Sequence, residues 1–91
     1  MVKGKTSTGF EFEVDKEQLT NAEFLEKFAE MQGGGDIAAT FALIKITLGE
    51  KQKKNLYDHC RNKKGMVPIE ALTAELSDIF LTLSGSAETK N

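Results

Sequence analysis

The segment DIAATFALIKITLG, residues 36–49, constrains the fold more than any other, because it is the most densely apolar stretch of the chain. Asp36 can accept hydrogen bonds from the free N–H groups that begin a helix, and Gly49 can adopt the left-handed conformation that ends one. The segment is shorter than the roughly 20 apolar residues that cross a bilayer. It therefore predicts a helix over residues 37–48 within a folded domain.

This predicted helix is apolar on two sides. At about 100° per residue, one narrow stripe contains Ile37, Phe41, Ile44 and Leu48. We expect that stripe to face the core. Leu43 and Ile46 fall on nearly the opposite side, and Leu81 lies off the apolar stripe of the last predicted helix. Two interpretations stay open: these residues are core covered by another element, or they form an exposed patch that binds a partner. The candidate partner-binding residues are therefore Leu43, Ile46 and Leu81.

The N-terminal residues 2–14 alternate between apolar and charged side chains, as in a strand with one covered face. The Ser-Thr-Gly turn signal at residues 7–9 divides them and predicts a β-hairpin. Lysines of the first strand then face glutamates of the second on the solvent side. The residues expected to pair in this way are Lys3, Lys5, Glu11 and Glu13. A two-stranded hairpin is not stable alone, so it must pack on the helices.

Three further helices are predicted, near residues 22–32, 50–62 and 68–83. Asn21 is the expected cap of the first, and Pro68 marks the start of the last, because proline is well tolerated in the first turn of a helix. The predicted fold class is α+β, mostly helical, with the N-terminal β-hairpin packed on a bundle of about four short helices. We expect a single compact domain over residues 1–85 and a disordered tail at 86–91.

Composition argues against several classes of protein. A formal net charge of −2 and a pI near 5.4 oppose a general nucleic-acid binder, which is usually clearly basic. The single cysteine cannot form an intramolecular disulfide, which fits a reducing compartment, and the N-terminus does not resemble a signal peptide. We therefore expect a soluble cytoplasmic protein.

No group of residues predicts catalysis or metal binding. His59 and Cys60 are adjacent, so on a helix they point about 100° apart and do not face each other. A zinc site needs more Cys and His ligands than these two. The glycine run at 33–35 lacks the Lys-Ser/Thr that completes a phosphate loop. We expect no catalytic residue, no metal and no cofactor, with Cys60 a small core residue and His59 a solvated one.

Basic residues concentrate between positions 50 and 64, which contain six lysines or arginines and two acidic residues. The simpler interpretation is a solvated helix that balances an acidic neighbour. The alternative is a small regulatory or antitoxin-like module that binds protein or DNA through this helix, as a helix-turn-helix unit does. The narrow apolar stripe of this helix and the negative net charge oppose a nucleic-acid partner.

Three segments carry a resemblance to a known family. They are TGFEFEVD at residues 8–15, the run from residues 48–50 into Leu56 and His59, and VPIEALTAELSDIF at residues 67–80. In pattern and order across most of the chain, these segments resemble the small tail assembly chaperones of long-tailed phages and prophages of Gram-positive bacteria. The lysine-rich third helix and the triple glycine depart from members of this family that tend to be more acidic.

The resemblance implies a non-enzymatic role in the cytoplasm of the bacterial host. Members of this family bind the tape measure protein, keep it soluble and help tail tube subunits to assemble around it. The expected partners are therefore the phage tape measure protein and tail tube subunits. A spare apolar helical face would also favour self-association, and neither a membrane nor a nucleic-acid partner is expected.

Overall fold

The computed structural model describes residues 1–34 and 37–88. Its elements are the strands β1 (Val2–Lys5) and β2 (Glu11–Val14), a 3-10 turn (Lys16–Thr20), and the helices α1 (Ala22–Gly34), α2 (Ile37–Cys60) and α3 (Ile69–Glu88). The coarse prediction is confirmed, because the protein is mostly helical with a small antiparallel sheet at the N-terminus. Within the described ranges, no helix is both long enough and apolar enough to span a membrane.

Within residues 1–34 and 37–88 the structure has three helices where about four were predicted, because α2 contains both of the segments expected at residues 37–48 and 50–62. Gly49 separates them with φ 77° and ψ 173°, a conformation outside the helical region. A residue with a side chain is strained in this region, which is occupied almost only by glycine. Helical backbone resumes at the next residue, so α2 consists of two helical segments that meet at Gly49.

The hairpin places the lysines of β1 opposite the glutamates of β2, as expected, and its register pairs Lys3 with Glu13 and Lys5 with Glu11. The Lys5 ammonium lies 3.8 Å from a Glu11 carboxylate oxygen, and both side chains are exposed. An exposed pair of this kind contributes at most about 1 kcal/mol. The hairpin is held chiefly by its other face, where the aromatic and aliphatic side chains of β2 are buried against the helices.

β1 lies close to the C-terminal half of α3. A Cβ atom placed on Gly4 would lie 2.7 Å from the ring of Phe12 and 3.0 Å from the methyl group of Thr82. A side chain at Gly4 would therefore push the hairpin away from α3, and the glycine permits the close approach of these two elements.

The hydrophobic core lies between the hairpin and the three helices. Its largest fully buried side chains are Val14, Phe24, Leu43, Ile44, Leu56, Leu72, Leu76, Ile79 and Leu83. Phe24 on α1 and Phe80 on α3 meet edge to face, with ring centroids 4.9 Å apart. This contact, which is favourable beyond the area it buries, joins α1 to α3.

The side of α2 that faces the core differs in part from the predicted one. Phe41 is 42% exposed and Ile37 is 55% exposed, whereas Leu43 is fully buried. The buried side of the first segment also includes Thr40 and Thr47, which look in sequence like interruptions of the apolar surface. The prediction that the Phe41 stripe faces the core is therefore wrong for Ile37 and Phe41. It is right for Ile44 and Leu48, which are buried. With apolar residues on both sides, periodicity alone does not select the side that packs.

The helix termini agree in part with the predictions. Asn21 caps α1, since its Oδ1 accepts a hydrogen bond from the main-chain N–H of Glu23 at 3.1 Å. Helix α3 continues to Glu88, beyond the end predicted at residue 83, so the expected disordered tail is helical over its first residues. The predicted cap Asp36 and the tail residues 89–91 lie outside the described part of the chain.

Candidate functional site

An apolar groove of about 270 Å³ lies on the surface between α1 and α3. Its lining residues are Phe28, Gln32, Ser77, Phe80 and Leu81. The two residues from α1 are four positions apart, and so are Ser77 and Leu81 on α3, so each pair lies along one helix face. The groove therefore extends along about one turn of each helix.

Aromatic rings form one wall of this groove. Phe28 and Phe80 pack with their ring centroids 4.3 Å apart at an interplanar angle of 61°. Phe28 is only partly buried, and Phe80 is 8% exposed. The wall is held rigid because Phe80 also contacts the fully buried Phe24.

Leu81 borders the groove and is 70% exposed, which makes it one of the few large apolar side chains exposed on the described helices. Burying a leucine side chain completely contributes about 1.5–3 kcal/mol. A partner that covers this residue therefore gains a substantial part of a weak binding free energy. Of the three residues predicted to bind a partner, only Leu81 lies on the surface.

The other two predicted residues belong to the interior. Leu43 is fully buried, and Ile46 is partly buried against the core. The amide of Gln18 donates a hydrogen bond to the Ile46 carbonyl at 3.2 Å, which places the 3-10 turn beside this part of α2. The interpretation of Leu43 as part of an exposed patch is therefore wrong, because the side that contains it is covered.

A second feature is a polar cluster that holds the turn of the hairpin onto α2 and α3. We call it the hairpin clasp. Its members are Ser7, Thr8, His59, Glu75 and Asp78. The Thr8 hydroxyl lies 2.5 Å from Glu75 Oε2 and 2.9 Å from His59 Nε2, and the Ser7 N–H donates to Asp78 Oδ2 at 2.6 Å. The clasp thus joins residues from three separate parts of the chain.

The hydrogen bonds of Thr8 fix the tautomer of His59. The hydroxyl has one proton and donates it to Glu75, so it accepts from His59, whose Nε2 must carry the proton. In a hydrolytic triad the carboxylate instead holds the second ring nitrogen of the histidine. Glu75 binds the hydroxyl, so this arrangement differs from a triad and fits a structural role.

His59 was predicted to be a solvated residue. Its side chain is exposed, yet its ring also packs 5.5 Å from the Phe10 ring. No sequence pattern indicated a role for Thr8, Glu75 or Asp78. The hydrogen-bond partner of each lies about 50 to 70 positions away in the chain. Only a pattern that reports long-range contacts would have identified them.

Cys60 follows His59 at the end of α2 and is half-buried. Burial raises the pKa of the Cys60 thiol, and the nearby Glu75 carboxylate raises it further. Less thiolate is therefore present at neutral pH than for an ordinary cysteine, which makes this residue a poor nucleophile. Among residues 1–34 and 37–88, no three His, Cys, Asp or Glu side chains are grouped so as to hold a metal ion.

Comparisons with known proteins give no relative from which a function can be transferred. No family model matches the chain, and neither the curated proteins nor the solved structures provide a match.

Proposed function

We propose that this protein is a non-enzymatic tail assembly chaperone of a long-tailed phage or prophage. It acts in the cytoplasm of the bacterial host, binds the tape measure protein, keeps it soluble and assists assembly of the tail tube. The observation that supports this proposal is the apolar groove between α1 and α3, with Leu81 exposed at its border.

The client has the chemistry that this groove accepts. A long helical protein presents apolar stripes until its own partners cover them, and such stripes bind into grooves between two helices. The groove is small, so one copy of the chaperone binds weakly. Many copies along one long client gain affinity through multivalency, because each bound copy covers a further part of the stripe.

The proposal is tested by co-expression of the protein with a long coiled-coil fragment of a tape measure protein. The measured quantities are the soluble yield of the fragment and its co-purification. We expect Leu81→Lys to abolish both effects, because it places a charge at the border of the groove. Met66→Lys is the matched control, since Met66 is 57% exposed and does not line the groove.

Two results would contradict the proposal. One is a fragment that stays insoluble with the unchanged protein. The other is equal solubilisation by Leu81→Lys and by the control, which would separate any chaperone activity from the groove. Thermal unfolding of both variants shows whether the fold is retained, so that a lost effect is attributed to binding.

A regulatory DNA-binding module remains the second candidate, because the side chains of Lys51, Lys54, Lys63 and Lys64 are exposed around the C-terminal half of α2. Arg61 in the same region is engaged by Asp58 at 3.2 Å and by the Gly65 carbonyl at 2.9 Å. A salt titration of duplex binding separates the two candidates. A DNA reader loses affinity steeply as salt rises, whereas a chaperone shows no duplex binding at low salt.

A further inference from the structure

The two outer edges of the hairpin differ. The edge of β2 is covered by Gln52 on α2, whose side-chain amide binds the main chain of Glu13 twice. Its Oε1 accepts from the Glu13 N–H at 2.7 Å, and its Nε2 donates to the Glu13 carbonyl at 2.8 Å. These groups of Glu13 must therefore point away from β1, and the side chain occupies the place of a neighbouring strand.

The alternation of hydrogen bonds identifies the groups on the other edge. The N–H of Thr6 donates to the carbonyl of Phe10, so these facing residues form a hydrogen-bonded pair. In an antiparallel pair, every second position is of this kind. Lys3 and Lys5 occupy the intervening positions, opposite glutamates. Their N–H and C=O groups therefore point outward, away from β2.

The outer edge of β1 is open in the described part of the chain. No hydrogen bond from another described residue reaches the outward main-chain groups of Lys3 or Lys5, and both residues are exposed. An edge of this kind is a template on which a further strand can pair. The hairpin thus offers main-chain hydrogen bonds on the side opposite to Gln52.

We propose that the open edge of β1 binds an extended partner segment in which acidic and apolar residues alternate. The partner adds as a strand, and its acidic side chains lie beside the two lysines on the solvent face. The strand that already pairs with β1 has this composition: Glu11 and Glu13 face Lys5 and Lys3, and the alternate side chains are apolar.

The same lysines disfavour a second copy of this chain as the occupant. Pairing β1 with β1 would bring Lys3 and Lys5 of both copies together, and like charges side by side are destabilising. Edge lysines are a common means of preventing self-pairing. Here they discriminate between partners, because they repel a like strand and attract an acidic one.

This site is separate from the groove. The face of α3 that meets the hairpin includes Asp78 and Thr82, whereas the face that lines the groove includes Ser77 and Leu81. A substitution at Leu81 therefore leaves the open edge of β1 unchanged. Failure of one proposal does not imply failure of the other.

The test is a titration of the full chain with a fluorescein-labelled peptide of sequence TGFEFEVD, followed by fluorescence anisotropy. The control peptide, TGFKFKVK, has lysine in place of each acidic residue. Lys3→Pro removes one outward N–H and leaves the bonds to β2 intact. We expect Lys3→Pro to bind the acidic peptide about tenfold more weakly. Leu81→Lys should bind it as the unchanged protein does, and the control peptide should not bind.

Hydrogen exchange provides a measurement that needs no variant. We expect the amide protons of Lys3 and Lys5 to become protected when the acidic peptide is added. Lys3→Ala keeps the main-chain N–H and removes the charged side chain beyond Cβ, so it should show an intermediate affinity. Unchanged binding by Lys3→Pro would overturn the proposal, because the peptide would then have displaced β2 from the inner edge. Equal binding of the two peptides, or no protection of these amides, would also overturn it.

Discussion

The main-chain N–H of Ser7 donates a hydrogen bond to Asp78 Oδ2 at 2.6 Å, although the two residues are 71 positions apart. One helical turn earlier on α3, Glu75 accepts a hydrogen bond from the hydroxyl of Thr8. Two carboxylates on one helix therefore hold two consecutive residues of the hairpin turn. The hydrogen bond to Ser7 also lowers the pKa of Asp78, because it stabilises the charged carboxylate.

Acid should weaken this attachment. The pKa of Asp78 in the folded protein lies below its ordinary value of 3.8, so the stabilisation is complete above that value. This stabilisation is lost as the pH falls through the pKa that Asp78 has in the folded protein. We expect Asp78→Asn to have a lower Tm than the unchanged protein above about pH 5 and a shallower fall in Tm below it. Glu70→Gln, at an exposed position on the same helix, is the control. Parallel Tm curves for Asp78→Asn and the unchanged protein would show that the bond contributes nothing measurable.

The two sides of α2 should respond differently to truncation. Leu43 is fully buried, so Leu43→Ala should lower the free energy of unfolding by about 2–5 kcal/mol. Phe41 is 42% exposed, so Phe41→Ala should cost about 1 kcal/mol or less, in contrast to the loss expected for a buried aromatic residue. Urea denaturation measures both values. A larger loss for Phe41→Ala than for Leu43→Ala would reverse the assignment of the buried side.

Gly49 and Gly33 form a matched pair that separates backbone strain from packing. A Cβ atom on either glycine would meet nothing within 4 Å. Gly49 has φ 77°, so Gly49→Ala should destabilise the fold by about 1–3 kcal/mol through strain alone. Gly33 lies within α1, so Gly33→Ala should stabilise it by about 0.5–1 kcal/mol. Chemical denaturation tests the opposite signs, and a neutral Gly49→Ala would mean that the break in α2 relaxes.

The side chain of Gln52 should contribute to the docking of the hairpin. Gln52→Ala removes two hydrogen bonds to the main chain of Glu13, and we expect a loss of about 1–2 kcal/mol, because water replaces them only in part. Asn55→Ala, at an exposed position one turn further along α2, should change the free energy of unfolding by less than about 0.5 kcal/mol. Equal stability of the two variants would show that solvent replaces Gln52 completely.

The features that could be predicted from sequence are the local ones. Alternation within residues 2–14 predicted the hairpin and the lysines that face glutamates across it, and a glycine at position 49 marked the break in α2. The packed side of α2 could not be predicted, because apolar residues cover both sides and Thr40 and Thr47 turn inward. Leu81 could be identified from the sequence as a candidate surface residue, because it lies off the apolar stripe of α3.

The remainder of the candidate site arises from tertiary contacts. Phe28 and Phe80 read as ordinary core positions of two amphipathic helices, and the groove exists because those two helix faces meet without closing completely. The hairpin clasp likewise depends on residues that are distant in the chain and unremarkable in their own segments. Neither feature leaves a periodic signal.

The hairpin clasp has a consequence for the order in which the protein folds. The hairpin and each helix require only short chain closures, whereas the contacts of Ser7 and Thr8 with α3 close a loop of about 70 residues, which is entropically costly. Contacts between residues so distant in the chain slow folding, and they form after the local structure has formed. We therefore expect β1 and β2 to dock last and to separate first, so that transient opening uncovers the FEFEV strand before the helices unfold.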